Sequence, residues 1–422
     1  MNLTARQRLS ICICVSVFAA PVVRGGDWPA FRGPNDNGVA NEQHAPVHWG
    51  PGENVRWKVP LPAPGNSSPI VVSGRVFITC AENQGKKRSL YCFDRKTGSM
   101  IWNQTVEIEE VEPTHPTNPY CASTPVADES RVIVWHGTPG LFCYDLNGAL
   151  VWQAHPGAIH HDWGYASSPI ISHGKVLLNF GPGSRTALIA FDLNTGSQLW
   201  RSDEPGGLDT TNKKMIGSWT TPIVAEIDGK TQVVCSMATR VIACDIETGE
   251  LRWYCTGLED EKACLVYPSP LISDGFCIAA AGWVNSPTLG LELGGFGDVT
   301  ATNRVWQKRQ PQQISSGVVV DRYAYIVTGS PSAAQCMEFR TGKILWAERL
   351  TAGEAWGSLV YAAGRFYVTS RNGVTSVFRG TPEGFELLAQ NDFGEPSNAT
   401  PAISDGEIFL RTDRNLYCVS GK

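Results

Sequence analysis

The sequence is poor in charge and poorer still in recognisable catalytic signatures. Charged residues make up 18% of 422 positions, with 35 Lys and Arg against 40 Asp and Glu. The resulting net charge of −5 excludes the basic stripe that nucleic-acid binding requires. There are eight histidines, and no cysteine or histidine spacing matches a zinc site or a Cys-x-x-Cys-His haem site. No Gly-x-Ser-x-Gly elbow and no convincing nucleophile–base set is present. The glycine-rich stretch Leu291 to Gly297 lacks the strand–loop–helix phosphate pattern, so it reads as a loop. Beyond Val23 no apolar run is long enough to cross a membrane as a helix.

What is there begins at the N-terminus. Arg6 and Arg8 precede the apolar run Ile11 to Val23, and polar sequence follows at once. That order is a signal peptide over residues 1–25, with cleavage after Ala20 or near Gly25-Gly26. The expected location is periplasmic or extracellular. Of 13 cysteines, Cys12 and Cys14 leave with the signal. An exported chain with the remaining odd number implies some disulfides and at least one free thiol, and Cys255 with Cys264 is the best candidate pair.

The strongest signal is internal repetition. A small-residue opening occurs at Ser67-Ser68-Pro69, Ser123-Thr124-Pro125, Ser167-Ser168-Pro169, Thr220-Thr221-Pro222, Pro268-Ser269-Pro270, Ser315-Ser316-Gly317, Gly357-Ser358-Leu359 and Ala399-Thr400-Pro401. The spacing suits one four-stranded blade per unit. Hairpin pairs such as Ser73-Gly74, His173-Gly174 and Asp228-Gly229 follow the openings. Four units then close on an acid, a Thr-Gly turn and a tryptophan, as in Asp94, Thr97-Gly98 and Trp102, and Asp145 to Trp152 is one residue shorter. The same set recurs at Asp192, Asp245 and Glu338, so these acids hold turns and are not paired catalytic carboxylates. Asp298 to Trp306 keeps the spacing without the Thr-Gly, and the seventh unit has lost the pattern.

The eighth unit stops after three strands and lacks its tryptophan. The missing piece sits at the front, in Asn54-Val55-Arg56-Trp57-Lys58-Val59. The expected fold is therefore all-β: an eight-bladed β-propeller of four-stranded blades over residues 54–422. Its ring closes by pairing the N-terminal strand with the last blade, which covers both open sheet edges. Residues 26–53 form an extended arm.

These units resemble the pyrroloquinoline quinone (PQQ) repeat, or tryptophan-docking repeat. That repeat occurs in quinoprotein dehydrogenases and in the outer-membrane assembly lipoprotein of the Bam complex. Trp28-Pro29-Ala30-Phe31-Arg32-Gly33-Pro34, the run Thr114 to Pro125 and the run His161 to Pro169 resemble planctomycete-type PQQ-like propellers in particular. The resemblance covers about residues 54 to 422 and implies the fold far more than a function. The dehydrogenases usually carry a vicinal cysteine pair over the quinone and long insertions that build the pocket. This chain has no Cys-Cys pair and is shorter. The resemblance leaves PQQ with calcium as the cofactor to consider.

Propeller ligands bind at the channel mouth, beside the inner-strand entrances. Those positions carry His115, Asn118, Tyr120, His161, Asp162, Trp163, Trp219 and Trp356. Adjacent strand residues point to opposite faces, so His160 and His161 do not readily share a metal, and no metal site is expected. Arg32 on the arm reaches across the propeller face to an anion or, more simply, pairs with a buried acid or carbonyl while the arm covers the face. Two functions remain. One is a non-catalytic binding or protein-interaction scaffold, monomeric, with a protein, polymer or small molecule at the mouth. The other is a PQQ-dependent oxidoreductase acting on alcohols or sugars.

Overall fold

The structure is a computed structural model, which describes residues 26–183, 186–204, 216–261 and 263–421. The signal-peptide segment, residues 1–25, lies outside the described residues. The chain folds as an eight-bladed β-propeller. Seven four-stranded blades are contiguous, with inner strands beginning at Ile70, Val126, Ile170, Ile223, Leu271, Val318 and Val360. The eighth blade combines Ala402–Ser404, Glu407–Arg411 and Asn415–Ser420 with the N-terminal strand Val55–Pro60. That strand runs antiparallel to the last, with Trp57 opposite Cys418 and Val59 opposite Leu416.

The repeat is explained by how one blade holds the next. Trp57, Trp102, Trp152, Trp200, Trp306 and Trp346 each donate the indole N–H to a backbone carbonyl in the following blade's turn, at 2.7–3.0 Å. The turn glycine lies under the ring. A Cβ on Gly98 would meet Trp57 at 2.8 Å, and Gly98 also needs its φ of +74°. Two constraints thus select glycine at one position. The acid cements the same turn: Asp94 Oδ1 accepts from the Lys96 and Thr97 N–H groups and the Thr97 hydroxyl. These bonds, led by the Thr97 hydroxyl, hold the Asp94 carboxyl below its ordinary range.

Two readings need correction. Asp298 is not the turn acid of blade 5. That place, opposite the first residue of the second strand, belongs to Glu292, paired with Phe276. Asp298 lies on Gly297–Asp298, which adds a parallel fifth strand to blade 4 beside Tyr254. The Asp–Trp spacing there is a coincidence of an insertion. Blade 5 has no Thr-Gly dock, and Trp253 donates instead to Gln232 Oε1 within its own blade. Second, Cys255 and Cys264 form no disulfide, and both are free like the other described cysteines. Cys255 is packed inside the blade 4–5 interface, whereas Cys264 opens a separate two-stranded ribbon paired with Ile216–Ser218.

The openings do more than relieve crowding at the axis. The N–H of Ser68 donates to the Thr124 hydroxyl, Thr124 to Ser168, Ser168 to Thr221, and Thr221 to Ser269. From there Ser269 donates to Ser316, Ser316 to Ser358, Ser358 to Thr400, and Thr400 back to Ser68. All eight bonds measure 2.8–3.3 Å. Inner strands have one edge without a sheet partner. A short hydroxyl from the next blade satisfies one donor per strand, which explains why these positions are Ser or Thr rather than Ala.

The arm crosses the end of the channel where the hairpin turns of the inner strands lie. Trp28 pairs with Val71, Pro29 O accepts from Ala127 N–H, and Val39 bridges to Tyr361. Glu42 then accepts from the Asp405 and Gly406 N–H groups. The arm therefore runs from blades 1 and 2 across to blades 7 and 8. Arg32 is buried and donates to the carbonyls of Leu359, Asn37 and Gly317.

Candidate functional site

Strands alternate direction, so the connections between blades and the loops joining second to third strands share the end opposite the arm. Together they build one cavity of about 370 Å³ over the axis. Its floor is the hydroxyl ring, through Ser168, Thr221, Ser269, Ser316, Ser358 and Thr400, and Phe31 of the arm contributes from below.

One wall is aromatic. His115 stacks on Trp163 at 5.1 Å with 18° between planes, and Trp163 meets Trp283 edge to face at 6.2 Å. Trp219 leans on Tyr267 at 5.3 Å. These rings pack with Ala263 and Leu265 as an apolar cluster of their own, separate from the blade interfaces. Each is pinned. Trp219 donates its ring N–H to Gly164 O at 3.0 Å. Asn118 donates to the carbonyls of Trp163 and Tyr165, and accepts from Asn66, which accepts from Asn398. His115 Nδ1 lies 3.3 Å from the Thr117 backbone N–H and takes it as an acceptor. The proton of the neutral ring is therefore on Nε2.

The opposite wall carries the charge. Glu354 and Arg371 pair at 3.1 Å, each about 40% exposed, and the guanidinium lies 4.5 Å from the Trp356 ring centroid. Among the described residues the lining thus holds one carboxylate and one guanidinium, each engaged by the other.

Five of the sequence-chosen residues line this cavity: His115, Asn118, Trp163, Trp219 and Trp356. Four do not. Arg32 is spent on carbonyls at the other end of the channel. Tyr120 lies against the Arg88 guanidinium at 4.9 Å, beside the buried Arg88–Glu112 pair. His161 is buried edge-on to Trp219 at 5.0 Å, and its Nδ1 accepts the Trp163 N–H. Burial holds its pKa below the usual histidine range. Asp162 is exposed beside it. The sequence reading missed Trp283 and Arg371, because it considered only blade entrances. Both sit in loops between second and third strands, which open on the same end. Among the described residues no group of three or more His, Cys, Asp or Glu side chains has metal-binding proximity.

An eight-bladed ring with an armed end, an aromatic mouth and tryptophan docks defines the class: a PQQ-like repeat propeller. Residues 86–348, more than half of the chain, match the family model described as outer membrane protein assembly factor BamB, and the chain belongs to that family. Among solved structures it is similar to BamB from Moraxella catarrhalis, with a TM-score of 0.62, 14% identity, and 87% of this chain and 99% of that one covered. It is also similar to quinohemoprotein alcohol dehydrogenase from Comamonas testosteroni, with a TM-score of 0.64, 12% identity and coverage of 94% and 81%. A europium-containing methanol dehydrogenase gives a TM-score of 0.55 at 10% identity, covering 94% and 99%. At such identities the likeness is one of fold. No curated protein sequence matches the chain. No helix among the described residues is long and apolar enough to cross a membrane.

Proposed function

We propose that this protein is an exported, non-catalytic propeller whose channel mouth binds a partner or ligand. The observation that carries this reading is the mouth cavity, with its packed aromatic wall and one self-neutralised ion pair. Rigid rings placed around a polar floor suit recognition, because little entropy is lost when a ligand seats. The family description, outer membrane protein assembly factor, fits a scaffold that works outside the cytoplasm.

The similarity to quinoprotein dehydrogenases raises the second reading, a PQQ enzyme oxidising alcohols or sugars. PQQ is a tricarboxylate, and calcium takes six to eight oxygen ligands. Among the described residues the lining offers one guanidinium, Arg371, and one carboxylate, Glu354, already bound to each other. That donor set fits the quinone and its metal poorly, which favours the scaffold. The purified protein titrated with PQQ and calcium should show no stoichiometric spectral change and no dye reduction with a panel of alcohols and sugars. A tight quinone complex that turns over an alcohol would replace the scaffold with the enzyme.

A further inference from the structure

We propose that the mouth cavity receives the end of a neutral oligosaccharide, an inference that rests on the binding reading above and names its ligand class. Three features carry it. First, Trp163 and Trp283 stand at 74° to each other and form an apolar corner, with Trp219 and Tyr267 completing that wall and Trp356 facing it from the opposite one. A pyranose ring has flat C–H faces that lie against indoles and hydroxyls that point outward from its rim.

Second, unengaged polar groups punctuate this wall in both senses. His115 Nε2 carries a donor proton, by the tautomer argued above. Asn398 uses its amide N–H on Asn66, which leaves its Oδ1 as an acceptor. Among the described residues Gln312 engages only its backbone carbonyl, with Gly329, so its side-chain amide supplies a donor and an acceptor together. Hydroxyls both give and take hydrogen bonds, so a ring that carries several of them satisfies such a mixed set without leaving a buried group unpaired. The paired Glu354 and Arg371 offer no net charge to a carboxylate, and burying an unpaired charge beside four indoles is costly.

Third, the cavity does not end at its rim. Asn66, Thr117, Glu354, Arg371 and Asn398 also line an adjoining groove of about 660 Å³ that runs outward past Pro116 and Pro396. The aromatic cavity is at the small end of the usual ligand range of about 300–1,000 Å³. One or two sugar units fill it, and the groove carries the units that follow.

Tryptophan fluorescence titration of the full chain tests this. The probes are glucose, glucuronate, and the maltose–maltotriose, cellobiose–cellotriose and chitobiose–chitotriose series. One neutral series should bind, with affinity rising about tenfold or more from one unit to three, and glucuronate should bind more weakly than glucose. Trp356→Ala should weaken the preferred trisaccharide about tenfold, and the less drastic Gln312→Ala about threefold to tenfold. Both variants should keep the far-UV spectrum and melting temperature of the parent. No binding by any series, or unchanged affinity in both variants, overturns the proposal. Binding of an aromatic-rich peptide with no saccharide binding also overturns it while leaving the scaffold standing. PQQ-dependent dye reduction would overturn the scaffold reading itself.

Discussion

At one end of the channel the arm from Asp27 to Glu42 lies across the inner strands, and at the other the same strands open into an aromatic cavity. The two ends use their cations in opposite ways. Arg32 is buried against three carbonyls with no carboxylate bonded to it, and burial, opposed by Asp36, brings its pKa down to about 9. Arg371 stays half-buried in a pair with Glu354. A cation that ends strand carbonyls makes a lid, because it cannot leave without orphaning them. A pair that neutralises itself leaves the rings around it free for a guest. The same eight strands therefore carry a structural end and a receptive end, and side chains decide which is which.

The sharpest way to break this contrast is to remove the lid's cation. Arg32→Ala leaves the carbonyls of Leu359, Asn37 and Gly317 without their donor and should destabilise the protein by about 3 kcal/mol, read from urea unfolding. Gly38 gives an independent route to the same result. A Cβ there would collide with Arg32 Nη2, and its φ is +80°. If Arg32→Ala instead unfolded like the parent, the arm would be decoration rather than a seal.

Much of this was legible in the sequence, and the remainder was not, for definite reasons. Trp57 could be assigned to the last blade because a repeat with one displaced strand has one place to put it. The turn acids and glycines were readable because their constraint is local. The hydroxyl ring was not, since its partners are 42 to 56 residues apart, or 332 across the closure, and a small residue at the axis already had a sufficient explanation in crowding. Trp283 and Arg371 were missed because their loops carry no repeated motif. Asp298 shows the opposite error, a motif spacing met by chance inside an insertion.

Acid should separate the two ends. His136 sits in a loop on the mouth side, and burial, helped by the Arg88 charge, pushes its pKa down to about 3. In the unfolded chain a histidine titrates near 6.5, so between about pH 6.5 and pH 3 the unfolded state binds more protons and stability falls as pH falls. His161 shifts in the same direction, again through burial. Asp27, at the sealed end, is shifted up by burial, so acid favours its folded form. Between pH 7 and pH 5 the parent should lose about 2 kcal/mol more than His136→Phe does. Equal losses would mean that the mouth does not carry the acid sensitivity.

The hydroxyl ring belongs to both ends, as floor of one and neighbour of the other, and it sets the smallest effect. Thr221→Val keeps the shape but leaves the Ser168 N–H without its acceptor, for about 1 kcal/mol. Thr400→Val does the same to the Ser358 N–H, four blades away. If each rung only satisfies its own strand, the two losses should add within about 0.5 kcal/mol. A double variant that loses clearly less than the sum would mean that the rungs polarise one another around the closed circle, because each single variant would already have forfeited the shared part. The ring would then be a cooperative hoop, and a guest touching Thr221 at the floor would be felt by every blade.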